Sequence, residues 1–310
     1  MILVCGGLAD VVTELVCARL EALRYPYRLL DLGLFPAGYS LAWRWSEGKP
    51  SGVLYGPDWR LNLAELSGVF VRYLGPDGHA PVSGLSGPLA EAVIAESQAG
   101  VMALLEHLPC LVVNRAAPSV SNHSKPYQAL MVRQAGLQTP PTLVTSDPEA
   151  ALEFYRANQG EVIFKSLSGV RSVVRKLTPS DLERLPLLRH GAVQFQRFLP
   201  GDNVRVHLVG DEVFATRVRS EAVDYRYARR QGHTAEMEPT HLPDSVAEAC
   251  LRLAQATGLV LAGIDLKQTP DEVWYCFEIN PCPGFAYYEQ HTGQPISAAL
   301  AELLKRGIQA

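Results

Sequence analysis

The stretch LAGIDLKQTPDEVWYCFEINPCPGF, Leu261 to Phe285, decides how the chain is read. Two apolar runs flank TPDE, whose proline and acids supply turn chemistry, so the spacing predicts a β-hairpin turning near Asp271 and Glu272. With that turn Asp265 lies opposite or diagonal to Glu278, and the period of two along a strand puts Glu278 and Asn280 on one face. Three oxygen donors then meet at a strand end, and Pro281 and Pro283 fix the exit of the chain. Hard oxygen donors of this kind suit magnesium, which keeps waters and completes its shell with phosphate oxygens. A hairpin with solvated surface acids gives the same pattern, so spacing alone leaves both readings open.

Basic residues upstream complement the acids. Lys165 ends the apolar run EVIF and is followed by SLSGVRS, where small residues let backbone amides approach a phosphate and Arg171 adds charge. An exposed hairpin turn with a solvated lysine is the plain alternative. Arg205, Arg217 and Arg219 fall on neighbouring strands joined at Val209-Gly210-Asp211, with Arg217 and Arg219 on a shared face. A solvated sheet face would also carry arginines; in combination with the acids and the lysine they are expected to face a common groove and grip carboxylate or phosphoryl oxygens.

Toward the N-terminus, MILVCGG followed by VVTELVCARLEAL reads as strand, turn and helix, opening an α/β domain. Further strands are expected at YRLLDL, GVFVRYL and PCLVVN, with LAEAVIAESQAGVMALLEHL as a long amphipathic helix. The segment SVSNHSKPYQALMVRQAGLQTPPTLVT reads as polar loop, helix ended by Gly136, and strand. A small α+β unit then holds PEAALEFYRANQG and the two runs around the Ser/Gly turn. Strands AVQFQRF, NVRVHLVG and EVFATRVRS, helix DSVAEACLRLAQATG, the hairpin and a terminal helix complete the chain.

Other chemistries lack their first residues. The sequence contains no GxxxxGK[ST], HExxH or GxSxG, and the early GG has no GxGxxG continuation. Six cysteines occur without a CxxC pair, which excludes a zinc ribbon and a thioredoxin motif and leaves core packing as their expected role, with the exposure of Cys282 open to question. Of 310 residues, 28 are Lys or Arg and 32 Asp or Glu, a net charge of -4 that argues against nucleic acid as the main partner. No continuous apolar run approaches the roughly 20 residues that span a bilayer, so no membrane partner and a cytoplasmic location are expected.

In this order along one chain, SKPYQALMVRQAGLQTPPT, VIFKSLSGVRS, VQFQRFLPGDNVRVHLVGDEVFATRVRS and AGIDLKQTPDEVWYCFEINPCPGF resemble the ATP-grasp superfamily, most closely its RimK-type ligases. The resemblance covers about residues 119 to 310. It implies an ATP-grasp fold, α/β and α+β: an N-terminal α/β domain at 1–118, a central small lobe at 119–190 and a C-terminal lobe with the metal site at 191–310. It further implies ATP and magnesium, one ion or two, with manganese able to substitute. Asp265, Glu278 and Asn280 would hold the metal, Lys125, Lys165, Ser168 and Gly169 the phosphates, and the backbone around Gln196, Arg197 and Phe198 the adenine, with Asn203 at the ribose. Arg205 and Arg219 would meet the phosphoryl group or acceptor carboxylate.

The family's reaction activates a carboxylate as an acyl phosphate that an amine attacks, forming an amide on an amino acid, small peptide or peptide side chain. The chain departs from the family pattern at Arg197, where an acid is common, at Asn203 beside Asp202, and at Ala228, which ends DYRYA where Arg-x-Asn is frequent. Arg72 and the basic run Arg226, Arg229 and Arg230 are candidate linings for an acceptor site, or solvated loop charges. FEINPCPGFAYYEQHTGQPI also resembles microviridin-type (graspetide) ligases, which close ω-ester or ω-amide rings in a precursor peptide. A non-catalytic ATP sensor and a small-molecule kinase are the remaining readings, and a homo-oligomer is compatible with all of them.

Overall fold

The computed structural model describes residues 1–72, 84–120, 124–167, 174–220 and 234–307. The chain opens with β1 (Ile2–Gly6), α1 (Val11–Ala22) and β2 (Tyr27–Asp31). Helix α1 starts where the Asp10 carboxylate accepts from the Thr13 N–H at 2.8 Å, satisfying one of the donors that a helix start leaves without a partner. An antiparallel meander follows, β3 (Ser40–Ser46), β4 (Lys49–Tyr55) and β5 (Arg60–Asn62), which the sequence reading had not marked. Its signal was the two-residue turn Glu47-Gly48, both at positive φ (53° and 77°) between alternating strands. β6 (Gly68–Val71), α2 (Gly87–His107) and β7 (Leu111–Val113) complete a parallel sheet ordered β2-β1-β6-β7.

That sheet is buried on both faces, as parallel sheets require. Leu3, Cys5, Val69, Val71 and Val112 pack with Val101, Leu104 and Leu105 of α2, while Val4 and Phe70 pack with Val12, Val16 and Leu20 of α1. Helix α2 amends the expectation about spanning segments. At 21 residues it is long and apolar enough by length and composition to cross a bilayer, although its C-terminal turns are built into this core.

After α3 (Ala116–Ser119) and α4 (Lys125–Gln134), a small sheet forms from β8 (Thr142–Thr145), β9 (Val162–Lys165), β10 (Arg175–Lys176) and β11 (Val193–Arg197), interleaved with α5 (Pro148–Ala157) and α6 (Pro179–Leu182). Its order is β10-β9-β11-β8, and Val162, Leu177 and Phe195 pack against Ala151 of α5. β11 hydrogen-bonds to β8 and β9, so Val193–Arg197 is part of the small sheet. Helix α4 goes the other way: Val132, with Ala135 and Leu137, packs into the core of the large sheet.

The large sheet holds β12 (Asp202–Val209), β13 (Glu212–Arg219), β14 (Glu236–Thr240), β15 (Leu261–Gln268) and β16 (Trp274–Asn280), ordered β14-β13-β12-β15-β16. Helix α7 (Asp244–Thr257) covers one face, and α8 (Ala286–Thr292) and α9 (Ile296–Arg306) follow β16. The hairpin turns where expected, with Thr269 N–H donating to Val273 O at 3.0 Å and Glu272 at φ 62°.

The N-terminal domain is fastened to the large sheet. Phe285, Leu300 and Leu304 share one core with Val4, Phe70, Val209 and Leu261. Asn114, 2 % exposed, donates to the carbonyls of Leu261 (2.6 Å) and Pro281 (2.5 Å) and accepts from the N–H groups of Val260 (2.9 Å) and Leu261 (3.1 Å). Asn114→Leu strands these groups in a dry interior. Urea denaturation is expected to show a loss of at least about 2 kcal/mol, more than removal of an exposed hydrogen bond would give.

Candidate active site

The β15–β16 register pairs Asp265 directly with Glu278 and Gly263 with Asn280, so all three oxygen donors lie on one face of the large sheet. A bulge follows immediately: Leu266 pairs with Cys276, leaving Phe277 as the extra residue of β16. The Asn280 amide donates to Glu278 Oε1 at 3.3 Å. Two carboxylates and an amide oxygen make a hard donor set that leaves room for waters and phosphate oxygens, and its chemistry fits magnesium.

Arg205 enters the same face from β12, directly opposite Asp265, and donates from Nη1 to Oδ1 at 2.6 Å. The guanidinium is buried and lies over Gly263, where an added Cβ would collide with it and approach Pro283 Cβ to 2.7 Å. Arg205 Nε points to His207 Nε2 at 3.5 Å, and the Tyr288 ring flanks both groups, with its centroid 4.8 Å from the imidazole's and 5.9 Å from the guanidinium carbon. His207 is fully buried. Burial and the Arg205 charge hold its pKa well below the ordinary 6.5, and its Nδ1 has no partner among the described residues.

Arg219 corrects the expectation of a common arginine groove. The β12–β13 register sets Thr216 opposite Arg205 and Arg217 opposite Val204, so alternation turns Arg217 and Arg219 to the other face. There Asp202 lies within 3.6 Å of Arg217 and 3.7 Å of Arg219, and Glu238 within 3.1 Å of Arg219. Asn203, one residue on, shares the face of Arg205 and Asp265.

In the small sheet, Lys165 pairs with Gln194, and both lie with Gln196 on the face away from the α5 core. All three are buried, and the Gln194 and Gln196 Oε1 atoms have no hydrogen-bond partner among the described residues. Gln196 Nε2 is occupied by Thr142 Oγ1 at 2.9 Å. Lys125, in the first turn of α4, reaches the Ser166 carbonyl at 3.3 Å. Ser168, Gly169, Arg171 and the run Asp224 to Arg230 lie outside the described residues.

The strand connection is only partly as expected. The Arg197 N–H donates to Pro141 O and the Phe198 N–H to Glu161 O, both at 2.9 Å, so these donors are already used. Two ammonium groups lie over the Phe198 ring, Lys176 at 5.0 Å and Lys267 at 5.7 Å from its centroid. Lys267, opposite Asn203, was missed from sequence although it follows Asp265 by one strand period; burial lowers its pKa against the pull of Asp202. Gln194 was missed likewise, its signal being its place two residues before Gln196.

Arg72, a candidate acceptor lining, is paired within the protein. Its guanidinium binds Asp10 at 2.8 Å and reaches the Cys282 carbonyl (3.1 Å), the Cys282 sulfur (2.9 Å) and the Pro283 carbonyl (3.3 Å), pinning the chain behind Asn280. Burial raises the Asp10 pKa, but Arg72 and Thr13 outweigh it and hold the carboxyl below its ordinary value.

Residues 121–304 match the RimK-like ATP-grasp domain. The α-aminoadipate–LysW ligase LysX of Sulfurisphaera tokodaii is 23% identical over 193 residues, 59% of this chain and 67% of that one. The solved structure of macrocyclase MdnC from Microcystis aeruginosa MRC, bound with precursor peptide MdnA, superposes with a TM-score of 0.81 at 26% identity, covering 98% of this chain and 99% of that one. ATP-grasp ligase PsnB, complexed with a phosphomimetic variant of its minimal precursor, Mg and ADP, superposes with a TM-score of 0.80 at 26% identity, covering 98% and 97%.

His207 makes stability depend on pH. Below about 6.5 the unfolded imidazole takes a proton that the buried one refuses, so the unfolded state binds more protons and stability falls as pH drops. This group is expected to contribute a loss of up to about 1.4 kcal/mol per pH unit below that point. Urea midpoints from pH 7.5 to 5 should therefore fall less steeply in His207→Phe than in the unaltered chain.

Proposed function

Because the chain belongs to the RimK-like ATP-grasp family and is an ATP-dependent carboxylate–amine ligase, we propose that the carboxylate it activates is carried by a peptide. The observation that supports this reading is structural likeness at equal coverage. The peptide-bound macrocyclase superposes over 98% of the chain, N-terminal domain included, with a TM-score of 0.81, whereas the RimK domain protein of Sphaerobacter thermophilus covers the same 98% with a TM-score of 0.56.

ATP supplies the phosphoryl group and magnesium neutralises its charge, and the chain's own groups position the partners. Asp265, Glu278 and Asn280 would hold the metal, for which manganese substitutes; a second ion would draw its ligands mainly from phosphate. Lys125 and Lys165, with Ser168 and Gly169, would face the phosphates. The partnerless Gln194 and Gln196 oxygens are acceptors suited to the amino group of adenine, and Asn203 to a ribose hydroxyl. Leu199 carries the next N–H after those of Arg197 and Phe198, and it donates to no described residue, so it is the one suited to a ring nitrogen.

Arg205 is the residue for the transferring group. A carboxylate oxygen attacks the γ-phosphorus, the bond to ADP breaks, and an amine or hydroxyl then displaces phosphate from the acyl carbon. The guanidinium holds its place through Asp265 and stabilises the charge that gathers on the equatorial oxygens. No protein nucleophile is required. A cytoplasmic setting, where ATP is supplied, belongs to this proposal.

The test is ADP release from MgATP with hydroxylamine present, comparing Asp- and Glu-containing peptides with pooled free amino acids. Peptide-dependent ADP and a peptide hydroxamate are expected, with both lost in folded Glu278→Gln and Asp265→Asn. Full activity in those variants would remove the two acids from the site, and ADP formed only with free amino acids would overturn the peptide reading. Gly263→Ala, which displaces Arg205, is expected to lower kcat at least about tenfold with ATP KM little changed, the signature of an interaction made in the transition state.

A further inference from the structure

Besides its half-exposed first-turn lysine, helix α4 carries a buried polar group. Gln128, 2 % exposed, lies one turn after Lys125 and directs its amide at a single residue of the large sheet. Its Nε2 donates to the Ile279 carbonyl at 2.7 Å, and the Ile279 N–H approaches its Oε1 at 3.4 Å. The side chain thus stands in for a neighbouring strand at the outer edge of β16, where the sheet ends. Ile279 is the residue between Glu278 and Asn280.

On its inner edge β16 pairs those two residues with β15 immediately beside a bulge. The ladder to β15 shifts register between Asp265 and Leu266, and a bulge bends and twists the strand that carries it. The orientation of Glu278 and Asn280 at that bend therefore depends on the outer edge of the strand as well. Farther along the same outer edge, the Cys276 N–H donates to the Gln138 carbonyl at 2.8 Å, so the strand is gripped on both sides of the bulge.

We propose that Gln128 is a positioning residue for the divalent cation: by pairing with the backbone of Ile279 it sets the orientation of the Glu278 carboxylate and Asn280 amide, and so the affinity of the site for the ion. The inference rests on the placement of the metal at Asp265, Glu278 and Asn280. Outer groups that orient metal ligands typically contribute 10–100-fold in affinity. Because Lys125 is on the same helix, α4 also links the phosphate-facing lysine to the metal strand by one rigid element.

The experiment measures Mn2+ binding, by electron paramagnetic resonance, to the full chain with a non-hydrolysable ATP analogue, in Gln128→Met, Gln128→Glu and Glu278→Gln. Gln128→Met keeps the volume and loses both bonds, whereas Gln128→Glu keeps the acceptor for the Ile279 N–H. Weakening of about 10-fold or more in Gln128→Met, a smaller effect in Gln128→Glu, metal-free nucleotide affinity within about threefold and recovery of kcat at high Mg2+ support the proposal. If Gln128→Met does not fold, weakening in Gln128→Glu alone, with the same recovery at high Mg2+, carries it. Unchanged Mn2+ affinity in the folded Gln128 variants, with Glu278→Gln weakened, overturns the positioning role and leaves the metal site standing. Unchanged affinity in Glu278→Gln overturns the metal placement itself.

Discussion

A buried guanidinium paired with a carboxylate on the adjoining strand sets the geometry of the large sheet. Taking Arg205 out of water costs several kcal/mol unless its charge and donors are met, and Asp265, His207 and the Tyr288 face meet them. The pair tolerates one register only. A slip of one residue between β12 and β15 would turn Arg205 toward Ile264 and the apolar core packed by α7. From that register follow the placement of Asn203 and Lys267 on the site face and the need for glycine at 263, over which the guanidinium lies.

The strand carrying Glu278 and Asn280 lies at the end of the sheet, where a row of backbone groups would otherwise meet solvent. The fold covers that edge with parts from elsewhere: Gln128 from α4, the carbonyl of Gln138, and at the exit Asn114 and Arg72 from the N-terminal domain. The N-terminal domain therefore does more than precede the lobes. It anchors both the start of β15 and the bend after β16, so the open end of the hairpin that carries Asp265, Glu278 and Asn280 is held from outside while the turn closes the other end.

Much of the fold was legible because its elements declare themselves locally. The α7 and α9 helices, the parallel β1-α1-β2 unit and the TPDE hairpin each carry their period and their punctuation in one window of sequence. The elements that escaped notice lacked one of these. The β3–β5 meander starts on a strand whose Trp43 and Trp45 alternate with polar residues but which pairs with no catalytic motif, and β14 holds Pro239, tolerated because that strand is an edge.

For the site, sequence by itself determined that Asp265, Glu278 and Asn280 share a face, because side chains alternate along a strand and a hairpin fixes which residues oppose. It also identified the family, since the order of motifs along one chain is a property of the chain alone. Tertiary structure decided what spacing leaves free: which face each arginine takes, so that Arg205 meets Asp265 and Arg219 turns away; that Arg72 is committed to Asp10 and the bend; and that Gln128, 151 residues upstream in the chain, lies against Ile279. Those outcomes depend on register and packing between segments far apart in sequence, where no local period constrains the result.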